Sequence, residues 1–100
     1  MLPFTSLSAA TSAPQVGVAK DLEDSVANHT MALTVTGSPS SWAVDLEGSH
    51  DGLTWFWLGS GGSASGTLVH APRVVRFVRA RLSALTGGTS PTVTATIASA

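Results

Sequence analysis

Apolar and polar side chains alternate in four stretches of this chain, and this period of two constrains the fold more than any other feature. The stretches are TMALTVTG, WAVDLEG, VVRFVRARLSAL and TVTATIASA, with turns rich in Gly, Pro, Ser and Asp between them. Successive side chains of a strand point to opposite faces of a sheet, so the alternation predicts strands with one buried face. Short strands separated by turns, without a helical period, predict an all-β fold, a single antiparallel β-sandwich that is jelly-roll-like.

The first fourteen residues lack this alternation. MLPFTSLSAATSAP is rich in Ser, Thr, Ala and Pro, a composition typical of a terminal segment that becomes ordered only against a partner. We therefore expect an extended N-terminal arm over residues 1–14, followed by the β-sandwich domain over residues 15–100. The apolar start of the arm, Leu2, Pro3 and Phe4, is the part that we expect to contact another chain.

The composition excludes several classes of function. Charged residues make up only 11% of the chain and the formal net charge is −1, whereas proteins that bind nucleic acid carry a basic excess for phosphate contacts. No apolar run in the sequence approaches the roughly 20 residues of a membrane-spanning helix. The absence of cysteine excludes disulfides, thiolate metal sites and thiol nucleophiles. We expect neither a nucleic-acid partner nor a membrane partner.

The sequence contains no recognisable catalytic or metal-binding motif. His29, His50 and His70 lack the spacing of metal ligands, and GSGGSAS is not the G-x-S-x-G turn of a serine nucleophile. We therefore expect a protein that is not an enzyme and that uses no metal and no cofactor. A hydrolase would have to lose its activity when one of these histidines is changed.

The few charged residues are clustered along the chain. Four of the five basic residues, Arg73, Arg76, Arg79 and Arg81, lie in one segment, and the acidic residues lie in two others. Pairs of opposite charge on neighbouring strands would explain this distribution as the solvated face of a sheet. An anion-binding site built on the arginines is the alternative.

The segment DGLTWFWLGSGG breaks the alternation, because Trp55, Phe56, Trp57 and Leu58 form an unbroken apolar row. We expect Trp42 and Trp55 in the core, since aromatic rings dominate small cores. Alternation then places Phe56 and Leu58 on the opposite face of the sheet and Trp57 inward. Because an exposed apolar patch promotes association, we expect the N-terminal arm or another chain to cover Phe56 and Leu58.

An exposed tryptophan in the same segment would permit a different function. Trp57 could stack on a sugar ring, with His50 and Asp51 of the preceding turn as further glycan contacts. Trp and Phe are also common anchors of protein interfaces. These residues leave sugar binding and protein binding open as alternatives.

Two segments resemble known families. LEGSHDGLTWFWLG looks like the S-x-D-G-x-x-W hairpin of discoidin-like and related carbohydrate-binding sandwiches, and PRVVRFVRARLSAL resembles their R-Y-V-R strand, with Phe77 in place of tyrosine. Residues 15–100 as a whole resemble small structural proteins of tailed bacteriophages of actinobacteria, which include head decoration proteins and minor tail proteins.

The resemblance to phage proteins implies a late virion protein at the capsid surface. Such a capsid decoration (cement) protein would bind the major capsid protein on the outer face of the phage head, self-associate, for example as a trimer, and stabilise the shell through many weak contacts. Its docking residues would be Leu2, Pro3 and Phe4 together with Phe56 and Leu58. The alternative is a minor tail protein or a carbohydrate-binding module that recognises the host surface through the glycan contacts named above.

Overall fold

Every regular element of the computed structural model, which describes residues 3–63 and 66–100, is a β-strand. The strands are β1 (Phe4–Ala10), β2 (Gln15–Val16), β3 (Lys20–Val26), β4 (His29–Thr36), β5 (Ser41–Ser49), β6 (Phe56–Gly62), β7 (Leu68–Ala71), β8 (Val75–Thr86) and β9 (Thr92–Ser99). The all-β prediction is confirmed. Within the described ranges, no helix is long and apolar enough to cross a membrane.

The strands form two antiparallel sheets that pack face to face. The first sheet has the strand order β1-β9-β4-β7, and the second has the order β2-β8-β5-β6. β3 also belongs to the second sheet and pairs with the beginning of β8, whereas β2 pairs further along it. β1 packs near β8 at one side of the sandwich and β7 packs near β6 at the other. The predicted antiparallel β-sandwich is confirmed.

The inward faces of both sheets carry the apolar residues that the alternation predicts. Val44 and Leu46 of β5 lie opposite Leu82 and Ala80 of β8, and all are completely buried. The first sheet contributes Met31, Leu33, Val93, Ala95 and Ile97 to the same core. Because alternate residues point away from the core, the outward side chains of these strands are not needed to fill it.

The N-terminal segment is a strand of the sandwich and not an arm. β1 pairs with β9 along its whole length, from Phe4 to Ala10, and Leu7 is only 1% exposed. The alternation is hidden in β1 because two irregularities interrupt its register, and because Ala9 has a positive φ of 48°. The expected domain boundary at residue 14 is therefore corrected, since residues 4–10 belong to the sandwich.

Ser6 ties β1 to the second sheet. Its hydroxyl donates a hydrogen bond to the carbonyl oxygen of Val18 at 2.7 Å and accepts one from the backbone N–H of Ala80 at 2.8 Å. Gly17 passes so close that a Cβ at this position would lie 2.5 Å from the Ser6 carbonyl oxygen. These bonds satisfy backbone polar groups where β1 meets the second sheet, and the bond from Ala80 is buried.

His29 performs a structural role at the start of β4. Its ring is completely buried, with Nε2 2.9 Å from the carbonyl oxygens of both Val26 and Arg73 and Nδ1 2.8 Å from Ser99 Oγ. Because a carbonyl oxygen can only accept, Nε2 carries a hydrogen and donates it. His29 thus links the ends of β3 and β9 with the connection between β7 and β8. Its buried ring is inaccessible to a substrate.

Candidate binding site on the second sheet

Two rows of polar and aromatic side chains cross the outward face of the second sheet. The rows are Arg79–Glu47–Trp57 and Arg81–Asp45–Ser60, and each runs from β8 through β5 to β6. Side chains directly opposite one another on neighbouring strands have Cβ atoms about 4.5–5.5 Å apart, so each row is continuous. We refer to these six residues as the second-sheet site.

A bulge in β6 decides which aromatic residue reaches this site. Leu46 of β5 pairs with Gly59 and the next residue, Glu47, pairs with Trp57, so Leu58 is an extra residue in the ladder. Trp57 therefore points outward, whereas Leu58 packs against the core. The prediction that Leu58 faces outward and Trp57 inward is wrong, because it started from a Trp55 placed in the core, whereas Trp55 also lies on the outward side.

Trp57 is 65% exposed, yet its ring is held in one orientation. The indole Nε1 donates a hydrogen bond to Ser60 Oγ at 3.1 Å, and this hydroxyl donates in turn to Asp45 Oδ1 at 2.5 Å. Because Ser60 lies further along the same strand, the bond directs the indole along β6. An exposed ring that is already oriented loses little conformational freedom when a ligand stacks on it.

Arg79 is enclosed between a carboxylate and an aromatic ring. Its Nε donates to Glu47 Oε1 at 2.8 Å, and its guanidinium lies 4.0 Å from the ring centroid of Trp55. The negative face of the indole attracts the cation, and Trp55 thereby lies over the outward side of the second sheet. The prediction that Trp55 belongs to the core is wrong, whereas the same prediction for Trp42 is confirmed.

Oppositely charged residues pair across neighbouring strands of the second sheet, as the first of the two alternatives predicted. Arg76 donates two hydrogen bonds to the carboxylate of Asp21, at 2.8 and 3.0 Å, and these hold the pKa of Asp21 below its usual range. Within the second-sheet site, Arg81 Nη1 lies 3.7 Å from Asp45 Oδ2. The two cations and two anions of the site give it no formal net charge.

The loop between β5 and β6 is held together by Asp51. Its Oδ1 accepts hydrogen bonds from the backbone N–H groups of Thr54 at 2.9 Å and Leu53 at 2.8 Å. These bonds, with that of Thr54 as the largest cause, hold the pKa of Asp51 below its usual range. The predicted glycan contacts are therefore divided, because His50 and Asp51 lie in this loop and Trp57 lies in the second-sheet site.

The five predicted docking residues do not form one surface. Leu2 lies outside the described residues, Pro3 is exposed, and Phe4 packs against the core from β1. Phe56 is 52% exposed at the start of β6, and Leu58 points inward. Since β1 and β6 lie at opposite sides of the sandwich, β1 does not cover Phe56, and the prediction that the arm covers it is wrong for residues 4–10.

Sequence reasoning missed three residues of the second-sheet site as functional candidates, namely Asp45, Glu47 and Ser60. Arg79 and Arg81 were considered only as part of an anion-binding site. The two acids, Asp45 and Glu47, are two positions apart in the chain, and so are Arg79 and Arg81. Alternation therefore placed all four on the outward face. Nothing in the sequence indicated that a bulge would bring Trp57 to the same face.

No protein-family model matches this chain, and no curated protein matches it. Among solved structures, the SPBc2 prophage-derived protein YomS is similar, with a TM-score of 0.70 at 15% identity over 99% of this chain and 92% of that chain. Chitosan-binding module 1 from the chitosanase/glucanase of Paenibacillus sp. IK-5 gives a TM-score of 0.58 at 16% identity, over 95% and 74%. CBM32 of AlyQ, in complex with 4,5-unsaturated mannuronic acid, gives 0.53 at 17% identity, over 90% and 74%.

At these identities the similarity shows a common fold. The chain shares its β-sandwich with a prophage-derived protein and with CBM32 and chitosan-binding modules. Both families that the sequence resembles, phage proteins and carbohydrate-binding sandwiches, therefore have a counterpart with this fold. An origin in actinobacterial phages and a place on the phage head stay predictions.

Proposed function

We propose that this chain is a non-catalytic binding domain that recognises carbohydrate through the second-sheet site. The observation that carries the proposal is Trp57, which is largely exposed, oriented by a hydrogen bond through Nε1, and bordered by charged and hydroxyl side chains. An indole that is exposed to water on the charged outward face of a sheet contributes little to the stability of the core. Exposed apolar surface rimmed by polar groups is typical of a binding site.

The chemistry of the site suits a pyranose ring. The C–H groups on one face of a pyranose pack against the electron-rich face of an indole, and the hydroxyls at its rim both donate and accept hydrogen bonds. Asp45, Ser60 and Arg81 lie in the neighbouring row and offer acceptors and donors to these hydroxyls. A few polar groups beside an apolar platform are what fixes the orientation of a small ligand.

The fold comparisons support the same class of function. Two of the similar domains are a chitosan-binding module and a module solved with an unsaturated mannuronic acid. They supply precedent for carbohydrate recognition on this scaffold. Assignment of the second-sheet site as the binding surface rests on the geometry of this chain.

The proposal is tested by replacing the indole in the full chain. Trp57→Ala should weaken binding to glycans of a carbohydrate array by about tenfold or more, because burial of a large apolar side chain contributes roughly 1.5–3 kcal/mol. Leu68→Ala is the matched control, since Leu68 is equally exposed at 69% but lies on β7 of the first sheet. Unchanged glycan binding by Trp57→Ala would contradict the proposal.

Capsid decoration is a second candidate function. It is supported by the similarity to prophage-derived YomS over almost the whole of both chains, in addition to the sequence resemblance. In this proposal the protein binds the major capsid protein at the virion surface and self-associates, and many weak copies together stabilise the shell. Pro3 and Phe56 are the predicted docking residues that are exposed.

The place of the protein in a virion is tested by quantitative mass spectrometry of purified particles from the source phage. A copy number close to that of the major capsid protein would support decoration of the shell. A few copies per particle would support a minor tail protein that presents the second-sheet site to the host surface. Absence from the particle would contradict both virion roles and leave a free carbohydrate-binding domain.

A further inference from the structure

Asp45 and Arg81 face each other across a gap that no described group fills. The 3.7 Å between Arg81 Nη1 and Asp45 Oδ2 exceeds the roughly 2.7–3.2 Å of an N–H···O hydrogen bond. The adjacent pair in the site, Arg79 and Glu47, is closed at 2.8 Å. Asp45 Oδ1 accepts from Ser60, but within residues 3–63 and 66–100 neither Oδ2 nor the Arg81 guanidinium is hydrogen-bonded.

We infer that this gap holds a hydroxyl of the ligand, and that the ligand is an uncharged sugar; the inference rests on the proposed function. A carboxylate only accepts hydrogen bonds and a guanidinium only donates them. A hydroxyl oxygen placed beside the pair, about 2.8 Å from each of the two atoms, does both, because it donates to Asp45 Oδ2 and accepts from Arg81 Nη1. Across a polar contact longer than about 3.5 Å, a single bridging oxygen can connect the two groups.

The charged group of a charged sugar would satisfy only one side of this gap. The ammonium of an amino sugar would donate to Asp45 but lie against the Arg81 cation. The carboxylate of a uronic acid would accept from Arg81 but lie against the Asp45 anion. Like charges in contact are unfavourable, and the site as a whole, without formal net charge, offers no attraction at longer range to offset them.

The gap lies within reach of a ring stacked on Trp57. The gap is between β5 and β8, and Trp57 is on β6, so the two are about one and a half strand spacings apart, roughly 7 Å. Because the indole is directed toward Ser60, it extends toward the row that contains Asp45 and Arg81. One pyranose ring with a hydroxyl at its rim covers this span.

The charge preference is measured first on the unmodified full chain. An array that carries neutral, amino and acidic pyranosides at equal density identifies the best member of each class. Dissociation constants are then obtained from the NMR shift of the Trp57 indole N–H. The neutral sugar should bind about tenfold more tightly than the charged ones, or better still. This ratio corresponds to the contribution of one hydrogen bond to a charged group.

Two substitutions then test the gap itself. Asp45→Asn should weaken binding of the neutral sugar and shift the preference of the protein toward acidic sugars, because it removes the anion that repels them. Arg81→Gln should shift the preference toward amino sugars for the corresponding reason. Arg76→Gln is the matched control on β8, outside the second-sheet site, and should leave the preference of the protein unchanged.

The outcomes separate this inference from the proposed function. If the unmodified chain prefers a charged sugar and Trp57→Ala abolishes that binding, the inference is overturned and the proposed function stays intact. A neutral preference that Asp45→Asn and Arg81→Gln do not move would overturn the assignment of the gap. Failure of every class on the array to bind would overturn the proposed function, and the inference with it. Thermal unfolding of each variant establishes that it is folded, and the preference of the unmodified chain is independent of the variants.

Discussion

The two sheets share one core and differ on their outward faces. The four strands of the first sheet contain no Asp, Glu, Lys or Arg, whereas β3, β5 and β8 of the second sheet contain four, two and three of these residues. The first sheet instead carries threonines, namely Thr5, Thr30, Thr34, Thr36, Thr92, Thr94 and Thr96. Thr34 lies directly opposite Thr94, and Thr36 opposite Thr92, across β4 and β9.

This difference separates the residues that folding requires, on the inward faces, from those that folding does not constrain, on the outward faces. Both inward faces follow the same apolar alternation, so the core does not distinguish one sheet from the other. Threonine suits a strand whose outward face meets water, because its β-branched side chain fits the pleated surface. Exposed tryptophan and paired charges are not needed for that purpose, and their restriction to the second sheet is the reason for proposing the binding site there.

The largest expected effect concerns β1, where the sequence predicted an arm and the structure has a strand of the first sheet. Leu7→Ala should lower the free energy of unfolding by about 2–5 kcal/mol, as for other buried leucines. Thr5→Ala, an exposed change on the same strand, should stay within about 0.5 kcal/mol. Urea unfolding of the full chain measures both, and equal effects of the two would mean that β1 is not part of the core.

A smaller effect is expected where β1 joins the two sheets. Ser6→Ala removes the acceptor for the Ala80 N–H and the donor to the Val18 carbonyl oxygen. Leaving such buried groups unsatisfied lowers the free energy of unfolding by about 1–3 kcal/mol. Ser8→Ala is the control, since Ser8 is exposed on the same strand. If the two serines prove equivalent in urea unfolding, the link between the sheets contributes nothing to stability.

The smallest expected effect is a difference in acid sensitivity between the sheets. Asp21 and Asp51 accept hydrogen bonds as carboxylates, and the pKa of each is lowered in the folded chain. A lowered pKa means that the stabilisation is complete above the unfolded-state pKa of about 3.9. The stabilisation is then lost as the pH falls through the folded-state value.

Hydrogen exchange can locate this loss. Between about pH 5 and pH 2, protection factors should fall first in β3 and at residues 53–54, because these regions depend on Asp21 and Asp51. β4 and β9, which contain no carboxylate side chain, should keep their protection to lower pH. Asp51→Asn should remove the acid dependence at residues 53–54. Simultaneous loss in both sheets would show that the carboxylates do not act locally.

Part of the candidate site could be predicted from sequence, and part could not. The outward positions of Asp45, Glu47, Arg79 and Arg81 follow from alternation within single strands. The position of Trp57 does not, because it depends on a bulge that exists only in the pairing of β6 with β5. The prediction for Trp57 and Leu58 started from an inward Trp55, and all three side chains lie on the face opposite to the predicted one.

The sequence by itself determined the all-β class, the turns and the inward residues of the long strands, because period-two patterning and turn chemistry act between near neighbours. Tertiary structure alone decided that residues 4–10 join the first sheet, where the backbone N–H of Ala9 reaches Thr94, 85 positions away. It also decided that Trp55 covers Arg79 and that Trp57 faces solvent. Edges, bulges and stacked pairs depend on which distant strand lies alongside, and a local pattern carries no information about that partner.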